Sequence, residues 1–292
     1  MTTKSLLITT AFLAALTLNA SSQLVLSDSY DYTPPPAGLN ADINANIPAR
    51  QGGTMTTTYT ESFVNPVAGV TVALEDASTA LSGSPDALFL RTQTSPTVGT
   101  VSNENISLNS NFTSLTGSSW TVDYRARLTV GVAALGDTFF GLGFGSTAAP
   151  NGPGSDGFFF ALRDTGAWLL WRNGAASFAN GQLANFTAQQ EYSVNLAVNE
   201  TGVNPLLSVA VTPLGGSSQV IGNNLPLNTL GASRLFAYQS SVVSDANGGF
   251  TDVRATDLAI TVVPEPSTAV YGLFGIAGLL FAGRRLKGQS KA

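Results

Sequence analysis

Six residues have side chains suited to binding a sugar ring. Pyranose rings stack on flat aromatic faces, and their hydroxyl groups need partners such as carboxylate, amide and guanidinium groups. The candidates for such a site are Asn151, Asp156, Trp168, Trp171, Arg172 and Tyr238. For the two tryptophans, burial in a hydrophobic core is the alternative, because large aromatic side chains also dominate protein cores.

Carboxyl groups arranged for catalysis are not evident. Glycoside hydrolysis needs two of them about 5–9 Å apart across a cleft. The glutamates that precede the C-terminal segment have no acidic residue two positions away; they are Glu61, Glu75, Glu104, Glu191 and Glu200. Asp123 and Asp252 each precede an arginine by two positions, and Asp28 lies near Asp31, which we interpret as solvent-facing strand charges. We therefore predict no catalytic residue; an enzyme whose acid pair is brought together by the fold is the alternative.

The absence of two residue types excludes several kinds of site. The chain has no Cys and no His, which rules out disulfides, thiolate zinc sites, cysteine nucleophiles and Ser-His-Asp triads. A Ca²⁺ ion needs six or more oxygen ligands, and the loop from Asn151 to Asp156 contains several. We interpret this loop as a turn, with Ca²⁺ binding as the alternative, and predict no other metal or cofactor.

Charge is scarce and unevenly distributed along the 292 residues. Only 11% of the residues are charged, against about 25% in a typical soluble domain. The segment from Asp28 to Glu265 contains eight arginines, eighteen acidic residues and no lysine, a formal charge of −10, whereas both ends are basic. A surface of this sign repels nucleic acid, and basic ends around an acidic body indicate membrane targeting.

The N-terminal segment, residues 1–23, is typical of a signal peptide. Lys4 provides a positive start, Leu6 to Leu18 is a short apolar run, and small residues at a cleavage site follow. This run is too short to span a bilayer, so we predict export. A buried N-terminal helix is the alternative.

The C-terminal segment, residues 264–292, has three parts in a fixed order. Pro264-Glu265-Pro266 is followed by a Gly-rich apolar stretch and then by Arg284 and Arg285. The stretch is about 25 Å long as a helix, at the lower limit for crossing the bilayer, and the arginines would remain cytoplasmic. We predict a hydrophobic helix that anchors the chain in the inner membrane.

This tail resembles the PEP-CTERM sorting signal, in which a Pro-Glu-Pro motif, a short hydrophobic helix and a basic cluster occur in the same order. The resemblance implies recognition by an exosortase, a membrane-embedded cysteine-type transpeptidase, and removal of the hydrophobic segment. It also implies export to the cell surface or extracellular matrix of a Gram-negative bacterium with an envelope rich in exopolysaccharide. A permanent single-span anchor is the alternative.

Residues 24–263 show the alternation of β-strands. Apolar residues occupy every second position over 120–130 and over 192–211, where a polar loop interrupts the pattern as in a hairpin. Glycines alternate with apolar residues over 140–145, which indicates a bend or a close approach by other backbone or by a ligand. A change of phase predicts a β-bulge at Thr256-Asp257. We predict one all-β domain, a two-sheet antiparallel jelly-roll sandwich flanked by the signal helix and the C-terminal hydrophobic helix.

The order of elements from Trp120 onward resembles the concanavalin A-like jelly rolls of the laminin G and legume-lectin type. Residues 156–162, Asp-Gly-Phe-Phe-Phe-Ala-Leu, resemble the Asp-Gly-aromatic strand of legume lectins, and 192–211 resembles their strand pair. The calcium-manganese cluster of that family includes a histidine, which this chain lacks. The function we predict is that of an exported, non-enzymatic surface or matrix protein that binds envelope polysaccharide weakly. Alternatives are a carbohydrate-active enzyme on the same scaffold and a membrane-anchored structural protein.

Overall fold

The computed structural model describes the body of the chain and not its ends. The described residues are 22–32, 41–64, 71–76, 81–83, 86–93, 101–131, 139–145, 157–172, 178–227, 230, 233–243 and 250–263. The chain divides into two compact units, one of residues 24–262 and the other of residues 1–23 with 263–292. The predicted signal helix and C-terminal hydrophobic helix lie outside the described residues, as do Asn151 and Asp156.

The described residues form sixteen strands, one short helix and one 3₁₀ turn. The strands of the first half are β1 (Gln23–Asp28), β2 (Gln51–Gly53), β3 (Tyr59–Val64), β4 (Thr71–Asp76), β5 (Asp86–Gln93), β6 (Val101–Leu108), β7 (Ser119–Gly131) and β8 (Phe139–Gly145). Those of the second half are β9 (Phe158–Arg163), β10 (Ala167–Arg172), β11 (Ala179–Gln182), β12 (Glu191–Asn199), β13 (Leu206–Pro213), β14 (Gln219–Pro226), β15 (Leu235–Val243) and β16 (Phe250–Val263). The helix α1 is Ile47–Arg50 and the 3₁₀ turn is Thr113–Leu115.

These strands form two sheets. The first has the order β14-β13-β12-β7-β16-β1-β2, with β5 also paired to β16 and β4 paired to β5. The second has the order β11-β10-β9-β8-β15-β6-β3. Pairs such as β7 with β12, β12 with β13 and β8 with β15 are antiparallel. The predicted all-β sandwich of two antiparallel sheets is confirmed.

The core lies between the sheets and is rich in aromatic residues. Trp120 of the first sheet meets Phe144 and Phe236 of the second at ring-centroid distances of 5.1 and 5.8 Å, edge to face in both cases. Such pairs add about 0.5–1.5 kcal/mol beyond the burial of their area. The alternation in β7 is the reason for this placement, since Trp120, Val122 and Tyr124 are buried while the residues between them are half-exposed.

The predicted change of phase in β16 is confirmed by burial. Val253 and Ala255 are buried in one phase, and Leu258 and Ile260 in the other. Between the two halves, Asp257 has a φ of +53°, in the left-handed region that few non-glycine residues adopt. The extra residue keeps both halves of this long strand facing the same core.

The glycines of β8 allow a phenylalanine ring to lie across the strand. A Cβ atom on Gly143 would be 2.6 Å from Cδ2 of Phe159 and 2.6 Å from the carbonyl oxygen of Phe158. Neither distance is sterically acceptable for a side chain, so the strand can carry only hydrogen at this position. The close approach that the sequence predicted for 140–145 is therefore made by β9, the neighbouring strand.

A buried network around the Asp28–Arg50 ion pair joins the two sheets at the side where β2 and β3 are the edge strands, through the hydrogen bond from Tyr59 of β3 to Asp28 of β1. Asp28, at the end of β1, and Arg50, at the end of α1, have no exposed side-chain surface, and their nearest N and O atoms are 3.6 Å apart. The Asp28 carboxylate also accepts hydrogen bonds from the hydroxyl of Tyr59 at 2.7 Å, the amide of Gln51 at 2.8 Å and the backbone N–H of Tyr30 at 2.8 Å. The interpretation of Asp28 as a solvent-facing charge was wrong, because this network replaces the water that an ionised carboxylate needs.

On the opposite side, where β14 and β11 are the edge strands, hydrogen bonds to backbone groups perform the same task without an ion pair. The side-chain amide of Gln219 accepts from the N–H of Ala184 at 2.8 Å and donates to its carbonyl at 2.9 Å. The guanidinium of Arg172 donates to the carbonyl of Pro226. Both sides of the sandwich are thus closed by contacts between segments that are distant in the sequence.

We expect Asp28→Asn to lower the free energy of unfolding by about 3–5 kcal/mol, because it leaves the Arg50 charge buried without its partner. Urea unfolding followed by tryptophan fluorescence measures the change. The matched control is Asp42→Asn, since Asp42 is exposed and its substitution should stay within about 0.5 kcal/mol of the unmodified protein. Equal stability of the two variants would contradict the role assigned to the ion pair.

Candidate functional site

Four of the six predicted sugar-binding residues, Trp168, Trp171, Arg172 and Tyr238, lie among the described residues, and the structure does not bring these four together. Tyr238 is fully buried and Trp168 is 9% exposed, and both belong to the core between the sheets. No sugar ring can stack on them in that position, so for Trp168 the alternative of a core residue is correct. Arg172 is half-exposed, and its guanidinium lies over the ring of Phe178, 4.7 Å from the centroid.

Trp171 faces the other way, on the outer side of the second sheet. It packs against Phe159 and Phe139 at ring-centroid distances of 5.7 and 6.1 Å. Only 8% of Trp171 is exposed, and Phe159 is fully buried. The aromatic rings on this face pack against one another and offer no open surface on which a sugar could stack.

An open hollow occurs instead on the outer face of the first sheet. It measures about 340 Å³ and lies on the adjacent strands β16, β7, β12 and β13, and its volume is in the range of small-molecule sites. We call it the polar hollow. Its side chains are mostly carboxylate, amide, hydroxyl and guanidinium groups; the lining residues are Asp123, Tyr124, Arg125, Ser193, Val194, Asn195, Ala210, Thr212, Ser218 and Asp257.

The strand register explains why the hollow forms at this place. Asn195 lies opposite both Asp123 and Ala210, which gives one row of residues across three strands. Ser193 lies opposite both Arg125 and Thr212, which gives the next row. Directly opposite residues on one face are neighbours. The short side chains of the serine and alanine leave space between the longer ones, and this space is the hollow.

The polar groups of the hollow are held in place before any ligand binds. The amide of Asn195 donates to the carboxylate of Asp123 at 2.6 Å. Arg125 donates to Asp257 at 2.6 Å, to Glu191 at 2.6 Å and to the carbonyl of Ser82 at 2.7 Å. Partial burial is the largest single influence on the pKa of Arg125, and it lowers that pKa. The hydrogen bonds and ion pairs with Asp257 and Glu191 together outweigh it, so the pKa of Arg125 is raised.

Asp123 and Asp252 each precede an arginine by two positions, and the contacts of the structure change our interpretation of these pairs. Arg125 pairs with Asp257 and Glu191, and Asp252 forms a two-pronged ion pair with Arg91 at 2.6 Å. The partners lie on neighbouring strands, because residues directly across a sheet are closer than residues two positions apart on one strand. Asp252 is 5% exposed and is therefore not the solvent-facing charge that the sequence suggested.

A second group of polar side chains lies between the sheets and was missed by the sequence analysis. Glu104 of β6 is opposite Ser240 of β15, and both are fully buried. Within the part of the chain that the structure describes, neither carboxylate oxygen of Glu104 has a hydrogen-bond partner. Burial, with a smaller effect from the charge of Glu61, raises the pKa of Glu104 to about 9. The signal was present in the sequence, since Asn103, Glu104 and Asn105 are consecutive within a strand, so that one of them must face inward.

Glu61 and Glu104 are one pair of acids that the fold brings to neighbouring strands. Glu61 lies opposite Ile106, two residues from Glu104, so the two share a face of the second sheet. Glu104 points into the sandwich and not into an open cleft. This arrangement cannot place a sugar between the two carboxyl groups.

Comparison with known families gives a match at the C-terminus. The profile described as the PEP-CTERM protein-sorting motif matches residues 262–287. The chain carries a PEP-CTERM sorting motif. The match confirms the predicted sorting motif, and the matched range includes Pro264, Glu265, Pro266, Arg284 and Arg285. The motif indicates an exported protein that is processed by an exosortase and anchored by its C-terminus before processing.

Several solved structures are similar to this chain. Lectin I from Ulex europaeus, in complex with the methyl glycoside of α-L-fucose, is 9% identical with a TM-score of 0.49, over 83% of this chain and 99% of that one. Peanut lectin is 13% identical with a TM-score of 0.43, over 71% and 100%. The alginate lyase of Aplysia kurodai is 14% identical with a TM-score of 0.45, over 66% and 87%. No curated protein matches the chain.

Two further findings concern the described residues alone. Among them, no helix has the length and apolar composition needed to cross a membrane. The same residues contain no group of three or more acidic side chains that could hold a metal ion. The loop from Asn151 to Asp156, our Ca²⁺ alternative, lies outside them.

We expect the free energy of unfolding to fall as pH rises from about 4.3, the ordinary pKa of glutamate in an unfolded chain, to about 9, the pKa of Glu104 in the fold. In this window the folded protein retains a proton that the unfolded chain has lost, which gives a slope of about −1.4 kcal/mol per pH unit. Glu104→Gln removes this contribution. Urea unfolding from pH 5 to 9, with tetramethylammonium as the only added cation, compares the unmodified protein with Glu104→Gln. If the free energy of unfolding depends on pH in the same way in both proteins, the raised pKa of Glu104 is contradicted.

Proposed function

We propose that this protein is an exported, non-enzymatic component of the cell surface or extracellular matrix of a Gram-negative-type bacterium, and that its sandwich binds envelope polysaccharide weakly. The polar hollow is the proposed binding site. The observation that supports it most strongly is the fixed Asp123–Asn195 pair in an open depression of about 340 Å³. A carboxylate beside an amide can accept from and donate to adjacent sugar hydroxyls.

The surroundings of the hollow fit a saccharide ligand. Val220 lies opposite Ala210 at the end of the same row and is 67% exposed, so an apolar surface for the C–H groups of a sugar adjoins the polar one. An aromatic platform is absent from the outward-facing described residues that line the hollow. Binding is accordingly weak, and many repeats along a polysaccharide would strengthen attachment through multivalency.

The charges of the hollow favour a neutral saccharide. Asp123 and Asp257 contribute two carboxylates and Arg125 one guanidinium, within a segment of formal charge −10. A uronate-rich polysaccharide would be repelled. The polar groups are also engaged with one another, since Asp257 accepts from Arg125 and Asp123 accepts from Asn195. This arrangement orients hydroxyl groups and supplies no open acid pair, which supports a binding protein over an enzyme.

We expect Asp123→Asn and Asn195→Ala each to weaken binding of the neutral exopolysaccharide about tenfold. Each substitution removes a hydrogen bond in which one of the two partners is charged. Biolayer interferometry on the exported protein measures the affinity. The matched control is Thr121→Ala, because Thr121 is on the same strand and face but outside the hollow. Loss of binding in Trp171→Ala with full binding in Asp123→Asn would assign the ligand to the second sheet instead.

The route to the surface is proposed to use both ends of the chain. Residues 1–23 direct export and are removed, residues 24–263 form the ectodomain, and residues 264–292 are the sorting signal on which the exosortase acts. Pro264, Glu265 and Pro266 are the recognised motif, and Arg284 and Arg285 hold the tail at the cytoplasmic side.

We expect the intact mass of the protein from the native host to lack both the signal peptide and the hydrophobic tail. Mass spectrometry of the surface fraction measures this directly. Replacement of Glu265 by Ala should leave the tail attached and the protein in the inner membrane, while Asp42→Asn, at an exposed residue of the ectodomain, should not affect processing. A full C-terminus in the surface form of the unmodified protein would instead indicate a permanent anchor.

A further inference from the structure

Glu104, Ser240 and Thr92 are polar side chains on three different strands that face the interior of the sandwich, and none has a hydrogen-bond partner among the described residues. Glu104 and Ser240 are opposite one another on β6 and β15, and Thr92 is on β5, which packs against both strands. Glu104 and Ser240 are fully buried and Thr92 is 1% exposed. Both carboxylate oxygens and both hydroxyl oxygens lack a hydrogen bond.

Such a concentration is unusual, because about 90% or more of buried polar groups in proteins have a partner. Each buried group left without one costs about 1–3 kcal/mol. An unsatisfied group in a folded protein therefore indicates an ordered water molecule, an ion or a functional role. Three of them on adjoining strands indicate one common occupant.

Comparison with the other buried carboxylates shows what this occupant replaces. Asp28 contacts Arg50, Glu191 contacts Arg125 and Glu200 contacts Arg234. Each of these carboxylates has a guanidinium group as its counter-charge. Glu104 has none, and the chain has no lysine between Lys4 and Lys287 that could supply one.

We propose that Glu104, Ser240 and Thr92 form an internal binding site for a hard metal cation. Carboxylate and hydroxyl oxygens are the ligands that Na⁺, Mg²⁺ and Ca²⁺ accept, and softer metals are not favoured, since the site offers neither nitrogen nor sulfur. The cation takes the place that arginine occupies beside Asp28, Glu191 and Glu200.

The position of Glu61 determines how much positive charge the carboxylates of the site can neutralise. Glu104 alone neutralises one positive charge, as suits Na⁺. Glu61 shares the same face on the edge strand β3 and is exposed to solvent, so it can provide a second carboxylate for Ca²⁺ and an entry from the surface. Mg²⁺ is disfavoured because it retains most of its water and requires near-octahedral geometry.

The test is thermal unfolding of the full exported protein, freed of metal by a chelator that is then removed by dialysis. NaCl, MgCl₂ or CaCl₂ is added at constant ionic strength, with tetramethylammonium chloride as the balancing salt. A ligand that binds only the folded state raises the unfolding midpoint in a saturable manner. We expect such a rise with Na⁺ or Ca²⁺, and we expect Glu61→Gln to abolish it only when Ca²⁺ is the occupant.

Variants distinguish this site from others on the protein. Glu104→Gln should abolish the rise. Without a cation, Glu104 must take up a proton to be buried at neutral pH and the amide needs none, so the variant should itself be more stable than the cation-free protein. Asp123→Asn, in the polar hollow, should retain the full rise. The proposal is overturned if neither cation raises the midpoint, or if Glu104→Gln responds as the unmodified protein does. Neither result bears on saccharide binding at the hollow.

Discussion

The sandwich depends on one requirement, that each charge inside it has a partner. Without cysteine no disulfide connects the two sheets. At one side they are joined by the hydrogen bond from Tyr59 of β3 to Asp28 of β1, and Asp28 is itself paired with the buried Arg50. Removal of either partner would expose the other to the full penalty of desolvation. Glu200 and Arg234 repeat the arrangement near Trp120, whose indole N–H donates to the Glu200 carboxylate at 2.8 Å. These contacts fix how the sheets lie on one another.

The two outer faces differ because their side chains differ in size. On the second sheet, glycines in β8 allow Phe159 to lie flat and Trp171 to pack beside it, so that this face is filled. On the first sheet, Ser193 and Ala210 stand between longer polar residues and leave a depression. The sequence predicted an aromatic surface for a sugar, and the site proposed from the structure is a polar one.

The sequence predicted what depends on local pattern. Alternation over 120–130 and 192–211 identified strands and their buried faces, the phase change located the irregularity at Asp257, and the tail matched its motif. The hollow depends instead on the register between β7 and β12, which are separated by more than fifty residues and are not a hairpin. The burial of Asp28 and Glu104 likewise depends on which strands meet across the sandwich, and alternation alone does not specify this.

The proposed function depends on binding of the saccharide to the first sheet. Titration of isotope-labelled protein with a short neutral oligosaccharide, followed by amide chemical shifts, tests it most directly. If the saccharide binds at the polar hollow, the amides whose chemical shifts change cluster at 121–126, 192–196, 209–213 and 256–258. Shifts confined to 139–145 and 157–172, on the second sheet, or no shifts at saturating concentration, would contradict it.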